Sequence, residues 1–250
     1  KWKLAEQKLI KKSEKVITVS PQFIEDLKNR FPDASTKFRL VPNAVNSSFY
    51  ENFSIDESIK KRYINNFVLL YLGDTHVRRG LLTAIESIPS IRKIIPNIKL
   101  VIVGKSSTDS ILKQKVEELS ISDYIDFEGW QDMSLFPSYI LSASIGICPL
   151  ERNIQHDVAY ANKLFQYMSF GMPLLVSNAK AQEKLVLDYK VGLVHEEKNT
   201  EDFAEKVLEL YNNPKLKQEM SKNAIETARN KFSWEETSKD LITLYKELTA

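Results

Sequence analysis

The sequence predicts a doubly wound, mainly parallel α/β sheet, and three observations carry that prediction. Between residues 67 and 194, six short apolar runs alternate with amphipathic stretches. Most of the runs are apolar throughout rather than at alternate positions, as strands covered on both faces must be. All seven glycines (73, 80, 104, 129, 146, 171 and 192) fall between residues 73 and 192. Strands alternating with helices imply right-handed crossovers and a parallel sheet. Ligands bind such sheets beyond the carboxyl ends of the strands, and Gly73, Gly104 and Gly129 follow runs at that rim.

Residues 1–45 read differently. A basic helix leads into a strand at Val16–Val19, a helix started by Ser20-Pro21, and a strand at Phe38–Val41. Two strands and two helices cannot close a core, so this piece is expected to be the tail of another α/β domain, with residues 46–66 as a linker. The strands of the main sheet are expected at Phe67–Leu72, Ile98–Val103, Tyr124–Phe127, Ile145–Leu150, Leu174–Ser177 and Gly192–Val194. Helices are expected near 80–95, 108–119, 133–141, 162–170 and 180–188. After residue 194 the pattern turns helical, at 201–212, at 214–230 opened by Pro214, and from Ser233 to Leu248. Ser233-Trp234-Glu235-Glu236 reads as a capping box, with Glu236 reaching back. Trp234, Leu241, Leu244 and Tyr245 form an apolar stripe expected to pack on residues 1–45, so that 67–232 is the body and 233–250 a crossover helix.

The 250 residues are 43% hydrophobic and 27% charged with a formal net charge of +2. That balance excludes a disordered chain and gives no case for a nucleic-acid partner. The single cysteine, Cys148, lies in an apolar run and reads as a buried structural thiol rather than a nucleophile. One cysteine and no signal peptide suggest a reducing, cytoplasmic setting. No apolar stretch approaches the roughly 20 residues of a membrane span. The first residue is lysine, so it is expected not to be the natural start. The lysines at 1, 3, 8, 11, 12 and 15, beside Trp2, Leu4, Leu9 and Ile10, suit either a solvated helix face, since Glu6 and Glu14 interrupt them, or contact with anionic lipid.

The chain has no GxGxxG, GxxxxGK[ST], HExxH, GxSxG or paired CxxC, which argues against dehydrogenases, P-loop NTPases, zinc hydrolases and serine hydrolases. Two clusters carry chemistry instead. Leu72-Gly73-Asp74-Thr75-His76-Val77-Arg78-Arg79-Gly80 follows the first strand of the main sheet. A glycine there admits a ligand close to the backbone, and guanidinium groups match phosphate oxygens bidentately. The second cluster is Ala161-Asn162-Lys163-Leu164-Phe165-Gln166-Tyr167-Met168-Ser169-Phe170-Gly171-Met172-Pro173. Asn162 is expected to cap a helix whose free amides form an anion site. Lys163, in the first turn, sets a cation against the helix dipole, which points to a bound phosphate. Gln166 shares its face and is placed to hydrogen-bond a ribose.

With these blocks in view, the chain resembles glycosyltransferase family four, the glycosyl transferases group 1. Its blocks run in the same order: Val16–Ser20, Val41-Pro42-Asn43, Tyr71-Leu72-Gly73, Arg79-Gly80, Val101–Gly104, Phe127-Glu128-Gly129, Asn162–Pro173 and Phe232-Ser233-Trp234. The resemblance covers essentially the whole chain. It implies the C-terminal, donor-binding Rossmann-like domain of a GT-B enzyme, with most of the acceptor half absent and transfer by this piece alone not expected. It further implies retaining transfer of a hexose from a nucleoside diphosphate sugar to a hydroxyl acceptor; a glycan or lipid-linked sugar is the acceptor expected, and the basic start leaves peripheral contact at the inner face of the membrane as an option within the cytoplasmic setting. Carried over by position, Arg79 matches the lysine usual before glycine, Lys163 the motif lysine, and Gln166 the ribose-binding glutamate. Asp74 stands where an arginine is usual, making Arg78 the candidate substitute. Val158 stands where the family's first glutamate falls, leaving His156 or Asp157. Ala44 stands where glycine is common after Asn43.

Arg79 and Lys163 are thus the expected catalytic cations. Gly73, Asp74, Arg78, Gly104, Trp130, His156, Asp157, Asn162 and Gln166 are the expected donor-binding residues, Trp130 by stacking on a base or alternatively by packing. No DxD-like pair is arranged for a metal, and neither metal nor cofactor is expected. Two other readings are a non-hydrolysing nucleotide-sugar epimerase and a nucleotide-sugar-binding module without turnover.

Overall fold

A computed structural model describes residues 2–249. The chain opens with α1 (Trp2–Lys12), β1 (Val16–Thr18), α2 (Pro21–Arg30) and β2 (Phe38–Leu40). β1 and β2 pair in parallel as a sheet of two strands, apart from the main one. The Ser20 side chain accepts the Phe23 N–H at 3.0 Å, and Pro21 has no N–H to leave unpaired, so α2 starts where the sequence placed it. Ile10, Leu27, Ala34 and Phe38 form a small core there. Trp2 and Leu9 instead line an apolar groove with Val16, Ile17, Phe23 and Leu27.

The stretch from 46 to 66 carries two helices, α3 (Ser48–Glu51) and α4 (Glu57–Tyr63). Asp56 caps α4 by accepting the Ser58 and Ile59 N–H groups. Tyr50, Ile59 and Tyr63 are buried in the core of the main body, so this segment packs as part of it.

The main body runs β3 (Phe67–Leu72), α5 (Leu81–Ile91), β4 (Ile98–Val103), α6 (Asp109–Glu118), β5 (Ile125–Gly129), α7 (Phe136–Leu141), β6 (Ile145–Cys148), α8 (Ile154–Val158), α9 (Asn162–Ser169), β7 (Leu174–Ser177), α10 (Lys180–Tyr189), β8 (Gly192–His195), α11 (Thr200–Asn212) and α12 (Pro214–Lys231). The six strands pair in parallel in the order β5-β4-β3-β6-β7-β8. Along β3, Val68, Leu70 and Leu72 face one core with α9 and α12, while Phe67, Leu69 and Tyr71 face the other with α5, α6 and α11. Two covered faces are why the strand reads as an unbroken apolar run. The chain winds outward from β3 through β4 to β5, then returns to β6 and winds the other way. The crevice at that reversal, between β3 and β6, is where such sheets take ligands.

The last helix, α13 (Trp234–Thr249), follows a bridge in which Val45 and Ser233 pair and Trp234 N–H donates to Val45 at 2.8 Å. Two expectations about it need correction. Glu236 does not reach back, because its carboxylate takes Lys239 at 2.6 Å; Glu235 reaches across instead and accepts the Ser47 N–H at 3.1 Å. Of the expected stripe Leu244 is buried and Leu241 half-buried, on a face shared with Ser233 and Thr237, whereas Trp234 and Tyr245 are 43% and 61% exposed. The bridge to Val45 sets the rotation of the helix and turns those aromatics outward. No helix among the described residues is long and apolar enough to cross a membrane.

Candidate active site

Three loops at the carboxyl ends of β3, β4 and β6 lock into one piece. In the first, the Tyr71 hydroxyl donates to the Asp74 carbonyl at 2.6 Å, and the Asp74 carboxylate accepts the His76 N–H and the Arg79 Nε. A short 3-10 turn, Val77–Arg79, ends at Gly80 with φ +74°. A Cβ on Gly80 would stand 1.7 Å from the Pro149 carbonyl oxygen, so only glycine lets this loop press on the one after β6. Likewise a Cβ on Gly104 would stand 1.8 Å from the Gly73 carbonyl oxygen. The second loop braces the first: the Thr108 hydroxyl accepts the Val77 N–H at 3.1 Å, and Asp109 accepts the buried Thr75 hydroxyl.

Lys163 enters this assembly from α9. Its side chain is buried, its Nζ lies 3.6 Å from the centroid of the Tyr71 ring, and its end runs beside Gly73. Burial pushes its pKa down to about 8; Arg79 lowers it further, while Cys148 and Asp74 act the other way. The Tyr71 face offers the ammonium a partner that does not neutralise it. Asn162 does not cap α9 as expected. It is the first helical residue, Ala161 occupies the cap position, and the Asn162 side chain accepts from Asn43 at 2.8 Å, linking the helix to the chain leaving the head.

His156 and Asp157 part company. His156 is 3% exposed on the inner face of α8, with Nε2 3.4 Å from Arg79 Nη1. Asp157 points outward, where Arg152 holds it bidentately at 3.2 and 3.0 Å and the Lys180 N–H adds a third bond. Burial raises the Asp157 carboxyl, but Arg152 and the Lys180 N–H outweigh that and hold it below its ordinary range. Asp74 behaves alike: burial raises it, and the His76 N–H and Arg79 bring it lower. Arg78 is exposed and joins the assembly through its carbonyl, which accepts the Glu151 N–H at 3.2 Å. Gln166 is half-buried, with its amide 4.0 Å from Met133 sulfur, and Trp130 lies 66% exposed just past β5. Gly73, Asp74, Arg79, His156 and Lys163 are therefore drawn together, while Asp157 is directed elsewhere. Among the described residues no three His, Cys, Asp or Glu side chains gather as they would around a metal ion.

Residues 54–227 match the family described as glycosyl transferases group 1, well over half of the chain. The chain belongs to that family. Among its glycosyltransferase relatives, the capsular polysaccharide biosynthesis protein CapM of Staphylococcus aureus is 23% identical over 79% of this chain and 51% of its own length. Sucrose-phosphate synthase from Thermosynechococcus elongatus superposes with a TM-score of 0.83 at 20% identity, over 98% of this chain and 61% of that one. Anabaena HepE in complex with UDP-glucose gives 0.77 at 16% identity, over 94% and 64%. The fold is thus that of GT-B glycosyltransferases, and the chain spans about half to two thirds of each of these proteins.

Several residues that brace this site are not among those the sequence singles out. Thr75, Thr108 and Asp109 brace the Arg79 loop, and the only hint was a Ser106–Asp109 run of cap-forming residues. Glu128 accepts from Arg62 at 2.6 Å, Tyr63 at 2.9 Å and Tyr139 at 2.6 Å, pinning α4 and α7 beneath Trp130. Nothing near Glu128 in sequence announces partners 65 residues away.

Proposed function

We propose that this chain is the donor-binding part of a retaining glycosyltransferase, which moves a sugar from a nucleoside diphosphate sugar to a hydroxyl acceptor. The observation that carries the reading is the convergence of Arg79, on the turn after β3, and Lys163, on helix α9 after β6, with the Lys163 ammonium beside Gly73 and within the field of Arg79. As the bond between the sugar C1 and the β-phosphate oxygen breaks, that oxygen keeps the electron pair. Fixed cations hold the new charge better than the ground state, which raises turnover. The acceptor oxygen bonds to C1 on the face the phosphate leaves, and its proton passes to the departing phosphate. In this reading the two cations take the place of a metal ion.

A polar cleft of about 600 Å³ separates Gln22, Glu25 and Asn29 of α2 from Arg152, Asn153 and Lys180. Residues 1–45 would then be the end of the acceptor-binding half, and the cleft the side from which a glycan or lipid-linked sugar approaches. HepE, crystallised with UDP-glucose on the same fold, supports a nucleotide sugar as the donor. The lone buried thiol agrees with a cytoplasmic setting.

The test is thermal unfolding with UDP, GDP or ADP. A ligand at about 100 times its Kd stabilises the folded chain by roughly 2.7 kcal/mol. At roughly 2–4 °C per kcal/mol, the expected shift is several degrees for the matching base. Lys163→Ala should abolish it. Millimolar concentrations of all three leaving the melting point unmoved would sink the reading. In the full-length enzyme, free nucleoside diphosphate plus a glycoside is the expected product pair, and an isomerised sugar nucleotide would mark an epimerase instead.

A further inference from the structure

Arg79 is gripped from two sides: its Nε donates to Asp74 Oδ2 at 3.0 Å, and its Nη1 faces His156 Nε2 at 3.4 Å. The proton on the imidazole can be placed. Nδ1 lies 2.6 Å from the Glu151 carbonyl oxygen, a group that only accepts, and Nε2 faces the Arg79 guanidinium, a group that only donates, so Nδ1 carries the hydrogen. The Asn153 amide sits alongside: its Oδ1 accepts the His156 backbone N–H at 2.9 Å, and its Nδ2 lies 2.9 Å from His156 Nδ1 and 3.4 Å from the same Glu151 carbonyl. The lone pair of the neutral ring is therefore on Nε2 and points at Arg79. Burial lowers the pKa of the ring, Arg79, Arg78 and Lys163 lower it further, and the Glu151 bond only partly opposes them.

We infer that His156 is a positioning residue, a neutral acceptor fixed by Glu151 whose Nε2 aims the Arg79 guanidinium at the donor diphosphate. This rests on the donor-site reading above. An arginine on a short turn has many rotamers, and one already held in place loses less freedom when it binds a ligand. A second carboxylate would hold Arg79 more tightly, but would also offset the charge that a phosphate needs, of which Asp74 already takes a share. A neutral acceptor gives direction and leaves the charge. The neighbouring carboxylate on α8, Asp157, is already committed to Arg152.

The test is a double-mutant cycle read by calorimetric binding of UDP, GDP and ADP. His156→Leu should weaken binding of the preferred diphosphate about tenfold. His156→Gln, which keeps an acceptor near the Nε2 position, should stay close to wild type. In the Arg79→Ala background, His156→Leu should cost nothing further. Equal losses from His156→Leu in both backgrounds would overturn this inference alone. An Arg79→Ala chain that binds like wild type would remove the donor-site reading and this one with it. Nitrogen-15 NMR of the unmodified chain supplies a check that needs no variant: Nδ1 should carry the proton, and a His156 ring protonated at Nε2 overturns the inference.

Discussion

The Lys163 ammonium sits with little water around it, and its pKa near 8 makes its charge depend on pH where most lysines do not. Below that value it is protonated; above it the free site loses a cation. A bound diphosphate favours the charged form and raises the pKa in the complex. Affinity for the diphosphate should therefore be flat up to about pH 8 and fall above it, by up to tenfold per pH unit. Calorimetry between pH 6.5 and 9.5 checks this, and a flat profile would remove Lys163 from the phosphate contact. For turnover, deleting one preorganised charge at a developing anion costs on the order of 10²–10³, about 3–4 kcal/mol. Arg79→Ala and Lys163→Ala should each show that loss in transfer assays with the full-length enzyme, with circular dichroism unchanged. Arg79 and Lys163 could be singled out in the sequence because each lies in a compact motif, one after β3 and one at the start of α9. The choice between His156 and Asp157 could not be made there, since adjacent helical residues point about 100° apart and only the docking of α8 decides which points inward.

At the scale of elements, the site depends on how closely three loops pack. Gly80 has φ +74° and faces the Pro149 carbonyl, so Gly80→Ala combines an unfavourable backbone with a clash that side-chain movement cannot relieve. The expected cost is about 1–3 kcal/mol, a melting point lower by several degrees, together with weaker diphosphate binding because Arg79 rides on the same turn. Stability lost with unchanged binding would show that Arg79 does not need the turn. The six strands and the helices α5, α6, α7, α9, α10, α11 and α12 lie where apolar runs and amphipathic stretches placed them, within a few residues at each end, whereas α3, α4 and the short α8 carried no such signal. The capping box of α13 and the cap of α9 differ from expectation for a shared reason. In each case another partner was better placed than the cap: Lys239, one turn along the same helix, for Glu236, and the distant Asn43 for Asn162, while Glu235 takes the distant Ser47 N–H.

Across the whole molecule, stability should respond to pH through a residue far from the motifs. His195 at the end of β8 is 1% exposed, donates from Nδ1 to the Glu196 carbonyl at 2.7 Å, and stacks edgewise on Phe203. Burial lowers its pKa from 6.5 to about 4, so the unfolded chain takes up a proton that the folded one refuses. Its contribution is full above pH 6.5 and is lost as pH falls towards 4, at most about 3 kcal/mol. Denaturant midpoints from pH 7 to 4 should fall less steeply for His195→Asn, which keeps a donor for Glu196, and equal slopes would refute the assignment.

The sequence by itself determined the order of the six strands and of the longer helices, and the parallel sheet they form. Those follow from periodicity and from glycines at strand ends, which are local properties of the chain. Tertiary structure alone decided which neighbour on α8 meets Arg79, which face of α13 is buried, and what braces the loop that carries Arg79. Those outcomes depend on contacts such as Thr75 with Asp109 or Val45 with Ser233, whose partners lie far apart along the chain. Side chains of one type can point either way until their helix is docked.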